Sequence, residues 1–126
     1  MSTFQIDFSN INQKRIIGID LGTTNSLAAF MDLTGPEVIA GADGGRLVPS
    51  IVSLRDDGSF VVGEEARRLL IDRSDRTVYS VKRLMGKGIE DVRAELPLLP
   101  YTVEGSGGGV LAITAGGKRL TPPEVS

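Results

Sequence analysis

Nine consecutive residues could carry chemistry: Gly18-Ile19-Asp20-Leu21-Gly22-Thr23-Thr24-Asn25-Ser26. A glycine beside threonines in a tight turn directs several backbone N–H groups the same way, and such a nest attracts phosphate oxygens. Gly22 lacks the Cβ that would block close approach, and Thr23 and Thr24 add hydroxyl donors. Asp20 repels phosphate, so its place beside the turn makes sense only with a magnesium ion or its waters in between. The combination suits the polyphosphate of a nucleotide. It is not a Walker-type loop, because the turn leads to a strand pattern and no Gly-Lys-Ser/Thr follows. The same residue types also suit a plain hairpin turn, and spacing alone leaves both readings open.

Lys82 and Arg83 form a second candidate. A lysine can neutralise charge on a transferring phosphoryl group. Two cations near a helix C-terminus are more simply a solvated face favoured by the dipole, and the residues alone favour that reading. Glu64, Glu65, Arg67 and Arg68 read as a solvated helix face, Asp56 and Asp57 as turn formers, and Asp72 and Asp75 as loop flanks. Composition narrows the chemistry further. The chain has no histidine and no cysteine, so imidazole-based catalysis, thiolate nucleophiles, disulfides and thiolate zinc sites are excluded. Any metal must be a hard cation held by oxygen. The net charge is −2 with no basic stripe, which argues against nucleic acid as a partner. No apolar run approaches a membrane span, which argues against a membrane partner. The first twelve residues lack a basic n-region and an apolar h-region, so the expected location is cytoplasmic.

The elements that must position these residues follow from pattern. The length of 126 residues is one domain's worth, and 16 glycines exceed the roughly nine that average usage of about 7% predicts. Residues 1–13 read as a flexible extension. An apolar run to Asp20, a turn, and Ser26–Met31 make a β-hairpin, and Glu37–Ala40 completes a meander. Ser50–Leu54 and Ser59–Val62 read as strands around an Asp-Asp-Gly turn. Three helices are expected. The first is Gly63–Ile71, with Glu64 and Arg68 four apart. The second is Thr77–Leu84, with Thr77 as N-cap and Gly86 past its end. The third is Ile89–Leu96, stopped by Pro97. Tyr101–Glu104 and Val110–Thr114 read as strands around a turn at Gly105–Gly109. Thr121, Pro122 and Glu124 form a capping box, which announces a helix cut short at Ser126; an unstructured tail fits the same residues, and spacing leaves both readings open. The expected class is α/β.

Ile17 to Ser26 resembles the first phosphate motif of the DnaK-type, seventy-kilodalton heat-shock chaperones. Their ATPase domain has the actin-like (ribonuclease H-like) fold. Pro49-Ser50-Ile51-Val52 followed by Val62-Gly63-Glu64-Glu65-Ala66 resembles two further segments of that family. Val81-Lys82-Arg83-Leu84-Met85-Gly86 resembles its lysine-bearing helix, and Thr121 to Ser126 resembles the start of the next helix. The resemblance covers Arg15 to Ser126. The first motif alone would also fit sugar kinases of the same superfamily. The resemblance implies that Gly22, Thr23, Thr24 and Asn25 cradle the β- and γ-phosphates of ATP or ADP. It implies that Asp20 holds the shell of Mg2+, with K+ as a second candidate ion, through water. It implies that Lys82 is catalytic, contacting the γ-phosphate and orienting the attacking water, with Arg83 ranked lower. The implied partners are unfolded client polypeptides, a J-domain co-chaperone and a nucleotide-exchange factor. Gly41, Leu47-Val48 and the run Leu96 to Tyr101 depart from the general pattern and resemble the HscA-type, iron–sulfur-assembly branch.

On this resemblance the chain is expected to be the first part of lobe I of an incomplete ATPase domain. Residues 14–40 would form the first meander of subdomain IA, 41–120 the inserted subdomain IB, and 121–126 the start of a truncated helix. Such a piece would lack the helices that cover its first sheet, leaving apolar surface and open edges, so self-association or poor order near the first hairpin is expected. It would also lack the second wall of the site and be inactive alone. Two rival readings are a fragment of a sugar or small-molecule kinase and a stand-alone binding module.

Overall fold

The computed structural model describes residues 16–105 and 109–126. The expected extension over 1–13 lies outside the described residues, as do 106–108 within the expected Gly105–Gly109 turn. Alternation of Ile17, Ile19 and Leu21 with Gly18 and Asp20 has the two-residue period of a strand, and β1 is Ile17–Leu21. It pairs antiparallel with β2, Asn25–Asp32, from Ile17↔Phe30 to Leu21↔Ser26. The other edge of β2 takes β3, Gly35–Val38, and then β4, Val48–Pro49, opposite Ser26 and Asn25. Pro49 has no N–H to give a ladder, and it sits in a two-residue strand at that margin.

Two further antiparallel sheets follow. β5 (Ile51–Leu54) lies between β6 (Phe60–Val62) and β7 (Thr77–Tyr79). β9 (Leu111–Ala115) lies between β8 (Thr102–Gly105) and β10 (Lys118–Leu120). The helices are short: α1 Glu64–Arg68, α2 Ile89–Val92 and α3 Pro122–Val125.

The core is unevenly distributed. None of residues 16–50 is buried, and Ile51 is the first that is. The main cluster joins Val78, Val81, Leu84, Val92, Tyr101, Leu111, Ile113 and Ala115, and a smaller one joins Ile51, Val61 and Ala66. Tyr101 carries its polar end into this core. Its hydroxyl donates to the Tyr79 carbonyl at 2.6 Å, and burial pushes its pKa above the ordinary tyrosine value.

The segment expected as a helix over Thr77–Leu84 is divided. Thr77, Val78 and Tyr79 form β7 against Ser53, Val52 and Ile51. Ser80 then takes the left-handed region (φ 54°, ψ 28°), and a 3-10 turn covers Val81–Leu84. The Thr77 hydroxyl does not cap a helix. It donates to the Arg73 carbonyl at 2.7 Å and so accepts from the buried Ser53 hydroxyl at 2.9 Å. A β-branched and aromatic triplet with a partner strand beside it outweighs the local capping signal. The first helix is shorter than expected, and Glu64 pairs with Arg67 at 2.9 Å rather than with Arg68. The third ends at Val92, and Pro97 sits inside a separate 3-10 turn, Leu96–Leu98, instead of acting as a stop. The capping box is present: Thr121 donates its N–H at 2.6 Å and its hydroxyl at 3.0 Å to the Glu124 carboxylate.

Ile113, fully buried, should cost about 2–5 kcal/mol when changed to alanine. Ile19, 69% exposed, should cost within about 0.5 kcal/mol, both read by urea denaturation. The Thr121 N–H, and after it the Thr121 hydroxyl, hold the Glu124 carboxyl below its ordinary value of 4.5. The cap's contribution is therefore complete above that value and is lost as pH falls through the lower folded-state pKa. Protection factors of the Thr121, Glu124, Val125 and Ser126 amides, taken relative to the intrinsic exchange rate at each pH, should fall across that acid window, and Glu124→Gln should remove this change in protection.

Candidate phosphate-binding hairpin

The last β1–β2 pair, Leu21↔Ser26, leaves Gly22, Thr23 and Thr24 as the connection, with Asn25 opening β2 opposite Pro49. The four residues of the expected cradle are therefore contiguous across the turn and the first residue of β2. A Cβ on Gly22 would lie 2.1 Å from the Asn25 carbonyl oxygen, far inside contact distance. Glycine is required here by closure of the turn itself, before any ligand is considered. The loop is also tied from behind. The Ser50 N–H donates to the Thr24 carbonyl at 2.8 Å, and the Ser50 hydroxyl donates to the Gly22 carbonyl at 2.8 Å. The single Ser50 hydroxyl proton is thereby used, so Ser26 Oγ, 2.8 Å away, is the donor to Ser50 Oγ.

Ser50 and Ser26 thus brace both ends of the turn, a role that inspection of the sequence had not assigned to either. The signal was the Pro49-Ser50 pair. Proline ends the β4 pairing at Asn25, which leaves Ser50 level with the loop.

Lys82 arrives from a distant segment. Its 3-10 turn is anchored by buried Val81 and Leu84, and its direction is set by the left-handed Ser80. Gly63, at φ 82° before α1, keeps the same side closely packed, since a Cβ there would lie 3.0 Å from Val48 Cγ1. α3 backs the 3-10 turn, with the Ser126 hydroxyl donating to Met85 Sδ at 3.2 Å. The result is a hydrogen bond from Lys82 Nζ to the Leu21 carbonyl oxygen at 2.6 Å. The ammonium stands one residue from Gly22, with two further protons to donate.

Asp20 is exposed on β1. Strand alternation puts it on the opposite face from Ile19 and Leu21, and it forms no ion pair with Lys82. Lys82 instead reaches the carbonyl of the next residue, Leu21. A cavity of about 280 Å3 adjoins the loop and Lys82, lined by Ile19, Leu21, Val48, Ile51 and their neighbours. Its wall is chiefly apolar, so it is the uncovered sheet face rather than an anion pocket. Arg83 is not part of that wall.

These residues fit a phosphate: three turn residues and Asn25 at the start of β2, tied from behind by Ser50, meet a lysine ammonium at one end. They do not by themselves make a metal centre. No group of three or more metal-ligating side chains occurs among the described residues. An ion at Asp20 would need water or phosphate oxygens for the rest of its shell.

Mixed α/β sheets with a braced phosphate-type hairpin define a protein compatible with part of an actin-like ATPase domain. The family model described as Hsp70 protein matches residues 16–126, and the chain belongs to this family. Its members are ATP-dependent chaperones that bind ATP and ADP with Mg2+ and engage client polypeptides and co-chaperones. The match does not favour the sugar-kinase reading.

The bracing of the turn has a direct test. Ser50→Ala removes the hydroxyl bonds to Gly22 and Ser26 and should cost about 1–2 kcal/mol. Gly22→Ala should cost roughly 2–4 kcal/mol of local stability through the clash with Asn25. Amide resonances of residues 21–26 should shift or broaden in both variants, while those of β9 stay in place. Unchanged loop resonances in Gly22→Ala would contradict the geometry.

Proposed function

We propose that this chain is the opening part of lobe I of an Hsp70-type ATPase, with residues 14–40 in subdomain IA, 41–120 in subdomain IB and 121–126 beginning the next helix. The parent protein couples ATP binding and hydrolysis to binding and release of unfolded polypeptides, with a J-domain co-chaperone and a nucleotide-exchange factor acting on that cycle. In this reading the N–H groups and hydroxyls of Gly22, Thr23, Thr24 and Asn25 hold the β- and γ-phosphates. Lys82 sets its positive charge beside the γ-phosphate and orients the attacking water. Asp20 holds the ion shell through water. Bound ATP with Mg2+, and K+ where it joins the shell, supplies the reactive phosphoanhydride. The observation that carries this reading is the 2.6 Å bond from Lys82 Nζ to Leu21, which sets a cation beside the turn from 61 residues away.

The branch we favour is HscA-like, on the strength of Leu47-Val48 and the run Leu96 to Tyr101, and the location we favour is cytoplasmic. Phosphoryl transfer needs both walls of a cleft and a positioned water at once. The 126-residue chain alone should therefore show negligible ATP turnover and weak nucleotide binding. An NMR titration with ATP and Mg2+ should move the amides of Gly22 to Ser26 and of Lys82, with an affinity weaker than micromolar. Lys82→Ala should abolish those shifts. Micromolar or tighter binding by calorimetry would sink the claim of weakness, and shifts confined to other residues would sink the site.

A further inference from the structure

β5 lies between two strands, so its residues turn their backbone polar groups to either side in alternation. The Ile51 carbonyl accepts from the Gly63 N–H at 3.0 Å, which turns Ile51 toward β6. Val52 therefore faces β7 and its register partner Val78, while Tyr79 points its N–H and C=O away from β5. The β5 ladder does not reach the Tyr79 carbonyl. The Tyr101 hydroxyl does, at 2.6 Å. Tyr101 is only 4% exposed, and its ring meets that of Tyr79 edge-on, with centroids 6.0 Å apart.

That carbonyl belongs to the peptide plane that joins Tyr79 to Ser80. The next rotation along the chain is φ of Ser80, at 54°. A residue other than glycine keeps such a value only where its surroundings over-determine it. Ser80 is held on both sides. The Tyr101 hydroxyl fixes the plane before it, and the Arg83 N–H fixes the plane after it by donating to the Ser80 carbonyl at 3.1 Å. Val78, Val81 and Leu84, which flank Ser80, pack in the same cluster as Tyr101. Lys82 follows two residues later, and its reach to Leu21 depends on the direction in which Ser80 sends the chain.

We propose that Tyr101 is a positioning residue for Lys82: by holding the Tyr79 carbonyl it fixes the left-handed turn at Ser80 and so sets the ammonium beside Gly22. Tyr101 acts through the backbone and not on a ligand. What the ammonium does at the hairpin rests on the phosphate role proposed for it; how it is held there does not.

NMR of the nucleotide-free 126-residue chain tests this. The Leu21 carbonyl carbon and the Gly22 amide share the peptide that accepts the Lys82 bond, and Lys82→Met gives their positions with no ammonium present. Tyr101→Phe keeps the ring and removes the hydroxyl. It should move both signals toward the Lys82→Met positions, as the ratio of bonded to released lysine falls roughly 2–10-fold, while protection of the β9 amides persists. Ser80→Gly added to Tyr101→Phe takes φ 54° without a Cβ penalty and should return both signals toward wild type, a rescue that general loosening of the core would not show. Ser80→Val resists the left-handed region with Tyr101 untouched and should release the lysine as well. Unmoved Leu21 and Gly22 signals in Tyr101→Phe would overturn the proposal, as would a shift that Ser80→Gly leaves in place. If Tyr101→Phe does not fold, wild-type signals in Ser80→Val would overturn it. ATP with Mg2+ that left the wild-type Gly22 and Lys82 amides unmoved would overturn the phosphate role and not the positioning of the lysine.

Discussion

The hydrogen bond from Lys82 Nζ to the Leu21 carbonyl is one of the ties that bring the two unlike halves of this chain together. A bond to a charged donor contributes about 1.5–3 kcal/mol when sheltered and less at an exposed site such as this one. Its importance is positional. It holds only if β7 ends at Tyr79, if Ser80 accepts a left-handed conformation that costs about 1–3 kcal/mol, and if Val81 and Leu84 are buried. The cored half of the molecule thus bears the strain that aims one lysine at a loop in the other half. On binding an anion the ammonium can keep Leu21 and use its remaining protons, so no rearrangement of the 3-10 turn is needed.

The unequal burial bears on how such a loop can work. From Ile51 onward side chains pack into two clusters, whereas β1, β2 and β3 have no fully buried residue. Regions with few buried apolar contacts open at lower free energy than cored ones. The hairpin is spared some of this by Ser50, which lies next to Ile51 at the margin of the smaller cluster. Bracing the turn at the Gly22 and Thr24 carbonyls fixes the loop backbone locally, without a core beneath it. This lowers the entropy that a ligand must remove on ordering the loop.

The hairpin was legible because its signals are local. Alternating Ile17, Ile19 and Leu21, a three-residue connection with an obligatory glycine, and a second apolar run all lie within 16 residues. The capping box at Thr121 was legible for the same reason. Thr77–Leu84 was misread because its helix signals are local and its strand signal is not. Thr77 imitates an N-cap, while its actual partner, Ser53, lies 24 residues earlier. Nothing near Ser80 announces a left-handed residue. The brace from Ser50 to Gly22 spans 28 residues and depends on β4 meeting β2, so no window of sequence contains it. Lys82 was found by residue type and resemblance, but its arrival at Leu21 is a property of the tertiary structure.

The absence of a Cβ at Gly22 looked like an accommodation of phosphate, yet the Asn25 carbonyl already excludes any side chain there. A plain hairpin of this shape would need the same glycine, so Gly22 does not separate a phosphate loop from an ordinary turn. Asp20 does not separate them either, because it stands on the opposite face of β1 from Ile19 and Leu21 and is exposed. The lysine bears on the choice. In the function proposed above, a cluster of phosphate oxygens would use the ammonium that the 3-10 turn delivers after the left-handed Ser80, whereas in an ordinary turn it would only cap the Leu21 carbonyl. The discriminating feature of the site is therefore not in the loop at all. It lies in the second half of the chain, where the core is strong enough to hold a cation against a sheet that has none.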